Sequence, residues 1–249
     1  MLDAALAAAC SDRATAIHHA IRRSPAPHAL ARARYTDDRL SAALARGVRQ
    51  YVLVGAGLDT CAFRRPDLHR PLRVFEVDHP ATQAFKRARL AAVGLEAPET
   101  LHFVPADFER ESVADALRRS PFDPTAPASF AWLGVTPYLT AEAILATLAA
   151  LRSGAAGGSE LVFDYVEQRA LRPDTTTPSV QQTLERAREV GEPIITGFDP
   201  ATLGGSLARA GFRLVEDLGP AEQDARYFGG RTDGLRAREF GHVASAEVS

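Results

Sequence analysis

Five times between Gln50 and Tyr165 a short apolar run gives way to a helical segment or turn, always across a short loop. The runs cover residues 50–54, 72–78, 101–104, 129–135 and 160–165. The first is short, β-branched and closed by glycine, the pattern of a strand buried on both faces. Parallel neighbours cannot be joined by a two-residue hairpin and need a crossover, usually a helix. The alternation therefore predicts an α/β fold, a doubly wound, mostly parallel sheet with helices on both sides. Pro80 suits the first turn of a helix that stops near Gly94, and further helices are expected over 111–119 and 141–151. At 249 residues and 46% hydrophobic, one domain spanning 1–249 is the expectation. Residues 1–46 read as helical with a break at Ser24-Pro25-Ala26-Pro27, and 47–166 as the sheet core. The remainder, 167–249, opens on a polar, Thr/Arg-rich stretch (167–198). A helix over 200–210, a strand over 211–217 and another strand near 225–228 follow.

The formal net charge of −2 does not give the basic field expected of a nucleic-acid binder. No apolar run approaches the roughly 20 residues that span a bilayer, so no membrane partner is expected. The Ala-rich start carries Asp3 and lacks a basic opening, and does not read as a signal peptide. Cys10 and Cys61 are too few for a disulfide framework or a cysteine zinc site. These features predict a soluble, cytoplasmic protein with no metal centre. Oligomeric state is not indicated.

The first run continues as Gly55-Ala56-Gly57-Leu58-Asp59-Thr60. Ligands of open α/β sheets lie beyond the carboxyl ends of the strands, at the switch in strand order, so this turn is the expected binding point. A dinucleotide fingerprint, G-x-G-x-x-G, would need its third glycine where Thr60 stands. Asp59 would compete with a pyrophosphate for the positive end of the following helix, whereas Asp59 and Thr60 can cap that helix. The turn suits a ligand with a positive or neutral centre and no phosphate, and S-adenosylmethionine has that chemistry. A ribose needs an acid at the end of the second strand, about 20 residues on. Asp78 stands there, with Glu76 on the same strand face as the alternative. The third strand ends on Asp107-Phe108, an acceptor for an adenine amino group beside a ring that can pack on the base. For both aspartates, N-capping a helix is the plainer role.

These stretches resemble the leucine carboxyl methyltransferase family, closest to its bacterial branch of S-adenosylmethionine-dependent methyltransferases and polyketide O-methyltransferases. The matching segments run in order. They are RARYTDD (32–38), VRQYVLVGAGLDTCAFR (48–64), FEVDHPATQAFKRARL (75–90), FVPADFE (103–109), WLGVTPYLT (132–140) and LVFDY (161–165), with GEPIITGFDP and RYFGGRTDGLR beyond. The resemblance implies a class I methyltransferase fold, Rossmann-like, under a short helical N-terminal lid (1–46), with a cofactor-binding core (47–166) and a substrate-side insertion and C-terminal strands (167–249). It implies that Arg32, or Arg34 as the close alternative, grips the methionine carboxylate. The turn Gly55, Ala56 and Gly57 carries the cofactor backbone, Asp78 the ribose, and Asp107 with Phe108 the adenine. An acid common in the family at the fourth strand's tip falls on Leu133, which leaves backbone carbonyls to meet the cofactor's amino group. Residues 12–16 resemble the family's opening Ser-Arg-Thr-Ala, with Arg13 facing the cofactor carboxylate. Only about 15 residues separate that stretch from Arg32, a reduced lid.

The expected activity is methyl transfer to a carboxylate or hydroxyl oxygen of a small-molecule acceptor. The alternatives are a non-catalytic cofactor binder with a reduced lid, and an NAD-dependent oxidoreductase of the same fold. Tyr138, Asp164 and Tyr165 are candidates for the acceptor pocket. No catalytic base is identified: His79 and His102 read as structural before catalytic, and Cys61 as a small buried residue. The cluster Lys86 to Arg89 reads as a solvated helix face.

Overall fold

The computed structural model describes residues 26–65, 67 and 72–249. The expectations for Arg13 and for the helices before residue 26 lie outside them. The strands are β1 (Gln50–Val54), β2 (Arg73–Asp78), β3 (Leu101–Pro105), β4 (Ser129–Trp132), β5 (Glu160–Val166), β6 (Phe212–Leu218) and β7 (Gly241–Val248). They form one sheet in the order β3-β2-β1-β4-β5-β7-β6. Neighbours among β1 to β5 pair parallel, and β7 runs antiparallel to both β5 and β6.

The helices are α1 (Ala26–Ala45), α2 (Cys61–Arg64), α3 (Pro80–Ala92), α4 (Val113–Arg118), α5 (Ala141–Ser153), α6 (Pro178–Glu189), α7 (Pro200–Arg209) and α8 (Pro220–Gln223). Strand alternation divides the core between two sides of the sheet. Val52 and Val54 point into a cluster with Phe75, Val77, Leu117, Leu148 and Leu207, beneath α4, α5 and α7. Tyr51 and Leu53 point the other way, into a cluster with Val74, Leu40 of α1 and Ala62 of α2. No described helix is long and apolar enough to cross a membrane.

Three local expectations change. The fourth strand stops at Trp132 rather than 135, because Gly134 takes a left-handed φ of 70° and a 3-10 turn (Thr136–Tyr138) follows. Residues 224–228 form a wide helical turn instead of a strand. The missing strand is β7, whose buried Ala244, Ser245 and Ala246 fit between two larger neighbours but lack the β-branched signature of a strand. Within the polar stretch, Thr177 accepts from the Val180 N–H and Pro178 opens α6, a clear helix start.

Candidate active site

β1 lies between β2 and β4, so the chain reverses its direction of winding there and a crevice opens beyond the strand tips. Gly55 and Gly57 both carry positive φ, 70° and 53°. A Cβ on Gly55 would lie 2.8 Å from Cγ2 of Val135, so glycine lets the loop after β4 close against the loop after β1. Ala56 between them is buried. The Gly57 N–H donates to Oδ2 of Asp78 at 2.5 Å, and the His79 N–H donates to Oδ1 at 2.6 Å. Asp78 is therefore fixed at the mouth of the glycine turn. Asp59 accepts from the Cys61 N–H at 2.6 Å, while Thr60, at the N-cap position itself, makes no side-chain cap bond.

Glu76 is not available to the crevice. It is buried against Lys86, whose Nζ lies 2.6 Å from Oε2 and also donates to the Asp59 carbonyl at 2.5 Å. Burial raises the Glu76 pKa, against the opposing pull of Lys86. Lys86 is only 3% exposed, which corrects the solvated-face expectation for this residue. It ties α3 to the loop that carries the glycines.

Asp107 and Phe108 follow β3 after one intervening residue, Ala106, at the same end of the sheet. Asp107 accepts the Glu109 N–H at 3.1 Å and Phe108 is 46% exposed. Leu133 is half-buried between two core clusters. The Arg34 side chain is 69% exposed and pairs with Asp38 one turn along the same helix, away from the cavity lining. Arg32 faces inward. Its Nη1 meets Oδ2 of Asp164 at 2.7 Å, and a Cβ on Gly134 would sit 2.7 Å from its Nη2, so glycine at 134 makes room for the guanidinium. Asp164 also accepts the Gly134 N–H at 2.5 Å and lies 3.0 Å from Nε2 of His28.

Beside this cluster is a cavity of about 440 Å³, walled by α1, the loop after β4, the end of β5, α6 and the segment before β7. Arg32, Asp164 and Tyr138 line it. Tyr165 does not. Consecutive strand residues face opposite ways, and its hydroxyl is buried against Asp217 at 2.6 Å and His242 at 3.1 Å. Burial, followed by that hydrogen bond, pushes its pKa far above the ordinary phenol value. His79 accepts from the Ala81 N–H, and His102 stacks on Phe75 at 5.0 Å, both structural arrangements. The Cys61 thiol is pushed up to about 12 by burial and then by Asp59, the reverse of an activated thiolate. His28, Arg238 and the α6 residues of the cavity wall were not anticipated. The one available signal was that His28 stands four residues before Arg32, on the same face of a helix.

Residues 4–152 match the family described as leucine carboxyl methyltransferase. A Bacillus subtilis protein named "Putative S-adenosyl-L-methionine-dependent methyltransferase YktD" is 38% identical over 226 residues, 91% of this chain and 73% of that protein. A relative of the same description from Saccharopolyspora erythraea is 38% identical over 135 residues, 54% of this chain and 46% of its own length. Among solved structures, a Thermobifida fusca protein described as "a putative methyltransferase" superposes with a TM-score of 0.60 at 19% identity, covering 90% of this chain and 80% of its own. Magnesium protoporphyrin IX methyltransferase from Synechocystis, solved with bound S-adenosylhomocysteine, gives 0.52 at 13%, covering 88% and 84%. These two share the fold. The chain belongs to the leucine carboxyl methyltransferase family and is an S-adenosylmethionine-dependent methyltransferase.

Proposed function

We propose that this enzyme methylates a carboxylate or hydroxyl oxygen of a small molecule held in the cavity beside Arg32. The observation that carries this reading is the position of that cavity, bounded by Arg32, Gly134 and Asp164 at the tips of β4 and β5. The residues at the switch point suit the cofactor. Gly55 and Gly57 offer bare backbone in left-handed turns, and Asp78 is a half-exposed carboxylate held at their edge. The Arg32 guanidinium has its Nη2 free of any hydrogen bond to a described residue.

In this assignment Gly55, Ala56 and Gly57 pack under the nucleoside. Asp78 accepts from the ribose hydroxyls, and Asp107 with Phe108 meets the adenine. Leu133 packs alongside, and Arg32 holds the methionine carboxylate, for which a guanidinium fork is well shaped. S-adenosylmethionine, when bound, supplies a methyl group on a sulfonium, a good leaving group for displacement by oxygen. The task left to the chain is alignment, holding the acceptor oxygen at about 3–3.5 Å in line with that methyl. Tyr138, on the cavity wall, contributes to that positioning. An acceptor carboxylate, with an ordinary pKa of about 4, needs no base at neutral pH, and a phenol near 10 benefits from one.

A screen with methyl-labelled cofactor over carboxylic acids and phenols tests this. The products separate by treatment with mild base, which cleaves methyl esters and spares methyl ethers. Label found only on nitrogen, carbon, sulfur or a macromolecule would reject the oxygen assignment. The same screen exposes a silent cofactor binder, which would retain the nucleoside and transfer nothing.

A further inference from the structure

Most of the surface inside the cavity is apolar. Val180, Leu184, Ala187 and Val190 of α6 and its end face it, with Ile194 from the loop beyond. Besides Arg32 and the exposed Arg186 of α6, one cation interrupts this lining from the β7 side. Arg238 is half-buried in the wall, and its Nη2 donates to Oγ1 of Thr183 at 2.6 Å, a neutral acceptor. It forms no ion pair with any described carboxylate. The adjacent Glu239 is engaged elsewhere, accepting from the Thr177 hydroxyl at 2.6 Å. Loss of hydration lowers the Arg238 pKa, and the attraction of Glu239 does not offset it. A guanidinium withdrawn from water without a counter-ion is costly to keep charged. Arginine does not resolve this by giving up its proton, since it stays protonated in proteins. The other carboxylates on the wall are Asp164, taken by Arg32 and His28, and Glu192 on the far loop.

We propose that Arg238 is the anion-recognition residue of the acceptor cavity, and that the acceptor is an apolar acid whose carboxylate seats on Arg238, which Thr183 positions while giving its own proton to the Ser179 carbonyl. This rests on the cavity being the acceptor site. The α6 side chains receive the hydrocarbon part, and the carboxylate supplies the missing counter-charge. Arg238 then determines specificity by discriminating an acid from its uncharged isostere. A neutral amide can accept from the guanidinium only through its one carbonyl oxygen, and it leaves the cation without the counter-charge and the bidentate pairing a carboxylate gives.

The experiment is calorimetric titration of the full chain with three pairs of probes: octanoate, decanoate and 3-phenylpropanoate, each against its primary amide. S-adenosylhomocysteine is titrated into the same samples. The wild type should bind at least one acid about tenfold or more tightly than its amide, in line with a hydrogen bond to a charged group. That preference should vanish in Arg238→Gln and survive in part in Arg238→Lys, which keeps the charge and loses the fork. Thr183→Val, which removes only the hydroxyl, should weaken the acid by a smaller factor. Equal binding of acid and amide, tighter binding of the amides, or no acid bound at all overturns the proposal. So does a preference that persists unchanged in Arg238→Gln. Failure of S-adenosylhomocysteine to bind would instead undo the cofactor-site assignment, so the two outcomes are distinct.

Discussion

The Arg32 guanidinium meets the Asp164 carboxylate at 2.7 Å across 132 residues of sequence, joining α1 to the tip of β5. Asp164 is 2% exposed, and the same carboxylate takes the backbone N–H of Gly134 at 2.5 Å. One buried anion thus sets the arginine, the loop after β4 and, through His28, a second turn of α1. The contact both supports the fold and places the proposed cofactor clamp.

Burial alone would raise the Asp164 pKa, but the His28 hydrogen bond, the Arg32 charge and the Gly134 N–H bring it down to about 2. A carboxyl held below its ordinary value of roughly 3.9 stabilises the fold above that value. The contribution is lost as pH falls through the folded value, here between about pH 4 and pH 2. At roughly 1.4 kcal/mol per unit, the amount at stake is about 2.5 kcal/mol. Urea unfolding of the wild type should weaken across that window more steeply than unfolding of Asp164→Asn. At pH 7 the variant should be less stable by roughly 3–5 kcal/mol, as for a buried pair with one partner removed. Equal stability at pH 7 would show that the ion pair carries no weight.

Arg32→Gln should weaken S-adenosylhomocysteine by about ten- to a hundredfold, the range for one lost hydrogen bond to a charged group. Binding of 5′-methylthioadenosine, which has the nucleoside and sulfur but no amino acid portion, should hardly change. The comparison separates loss of the carboxylate clamp from general damage, because damage would weaken both ligands alike. Equal loss for the two would remove Arg32 from the clamp role.

The sheet core was legible because each parallel strand is a compact apolar run that needs no long-range information. β1 falls where its five residues suggest, and the glycine turn follows it. The acids at the tips of β2 and β3 were legible for the same reason, since a strand end fixes where a side chain stands. Glu76 and Asp78 share a strand face, and only the fold shows that Lys86 occupies one and leaves the other. Asp164 and Tyr165 could not both face the cavity, because neighbours on a strand alternate. The period was in the sequence, but not which face looks toward α1. The cavity wall was least legible. It is assembled from α1, α6 and the segment before β7, and no local pattern says that Arg238 and Thr183 meet 55 residues apart.

Lys86→Met should destabilise the protein by roughly 3–5 kcal/mol, because it leaves the Glu76 carboxylate buried without a counter-charge. Oε1 of Glu76 already has no partner in the described structure, which makes the loss harder to absorb. Lys86→Met with Glu76→Gln should recover a large part of that cost, since the double variant buries no net charge. A double-mutant cycle in urea measures the coupling. Strictly additive effects would mean that the two groups do not sense each other.

Gly55 is the most demanding position in the turn. An alanine there meets two separate costs. A φ of 70° is unfavourable for an L residue with a Cβ, by about 1–2 kcal/mol. In addition, the new Cβ would lie 2.8 Å from Cγ2 of Val135, closer than packed carbons can sit. Gly55→Ala should therefore lower both stability and S-adenosylhomocysteine affinity, as the loops after β1 and β4 are forced apart. Val135→Ala removes the clashing methyl and leaves the backbone strain. The double variant should regain the steric share of the loss relative to Val135→Ala alone and keep the roughly 1–2 kcal/mol due to φ. Thermal unfolding and cofactor titration of the four proteins in the cycle read the two shares. Absence of coupling between positions 55 and 135 would show that the loops do not approach this closely, and the reason for glycine at 55 would reduce to its backbone angle.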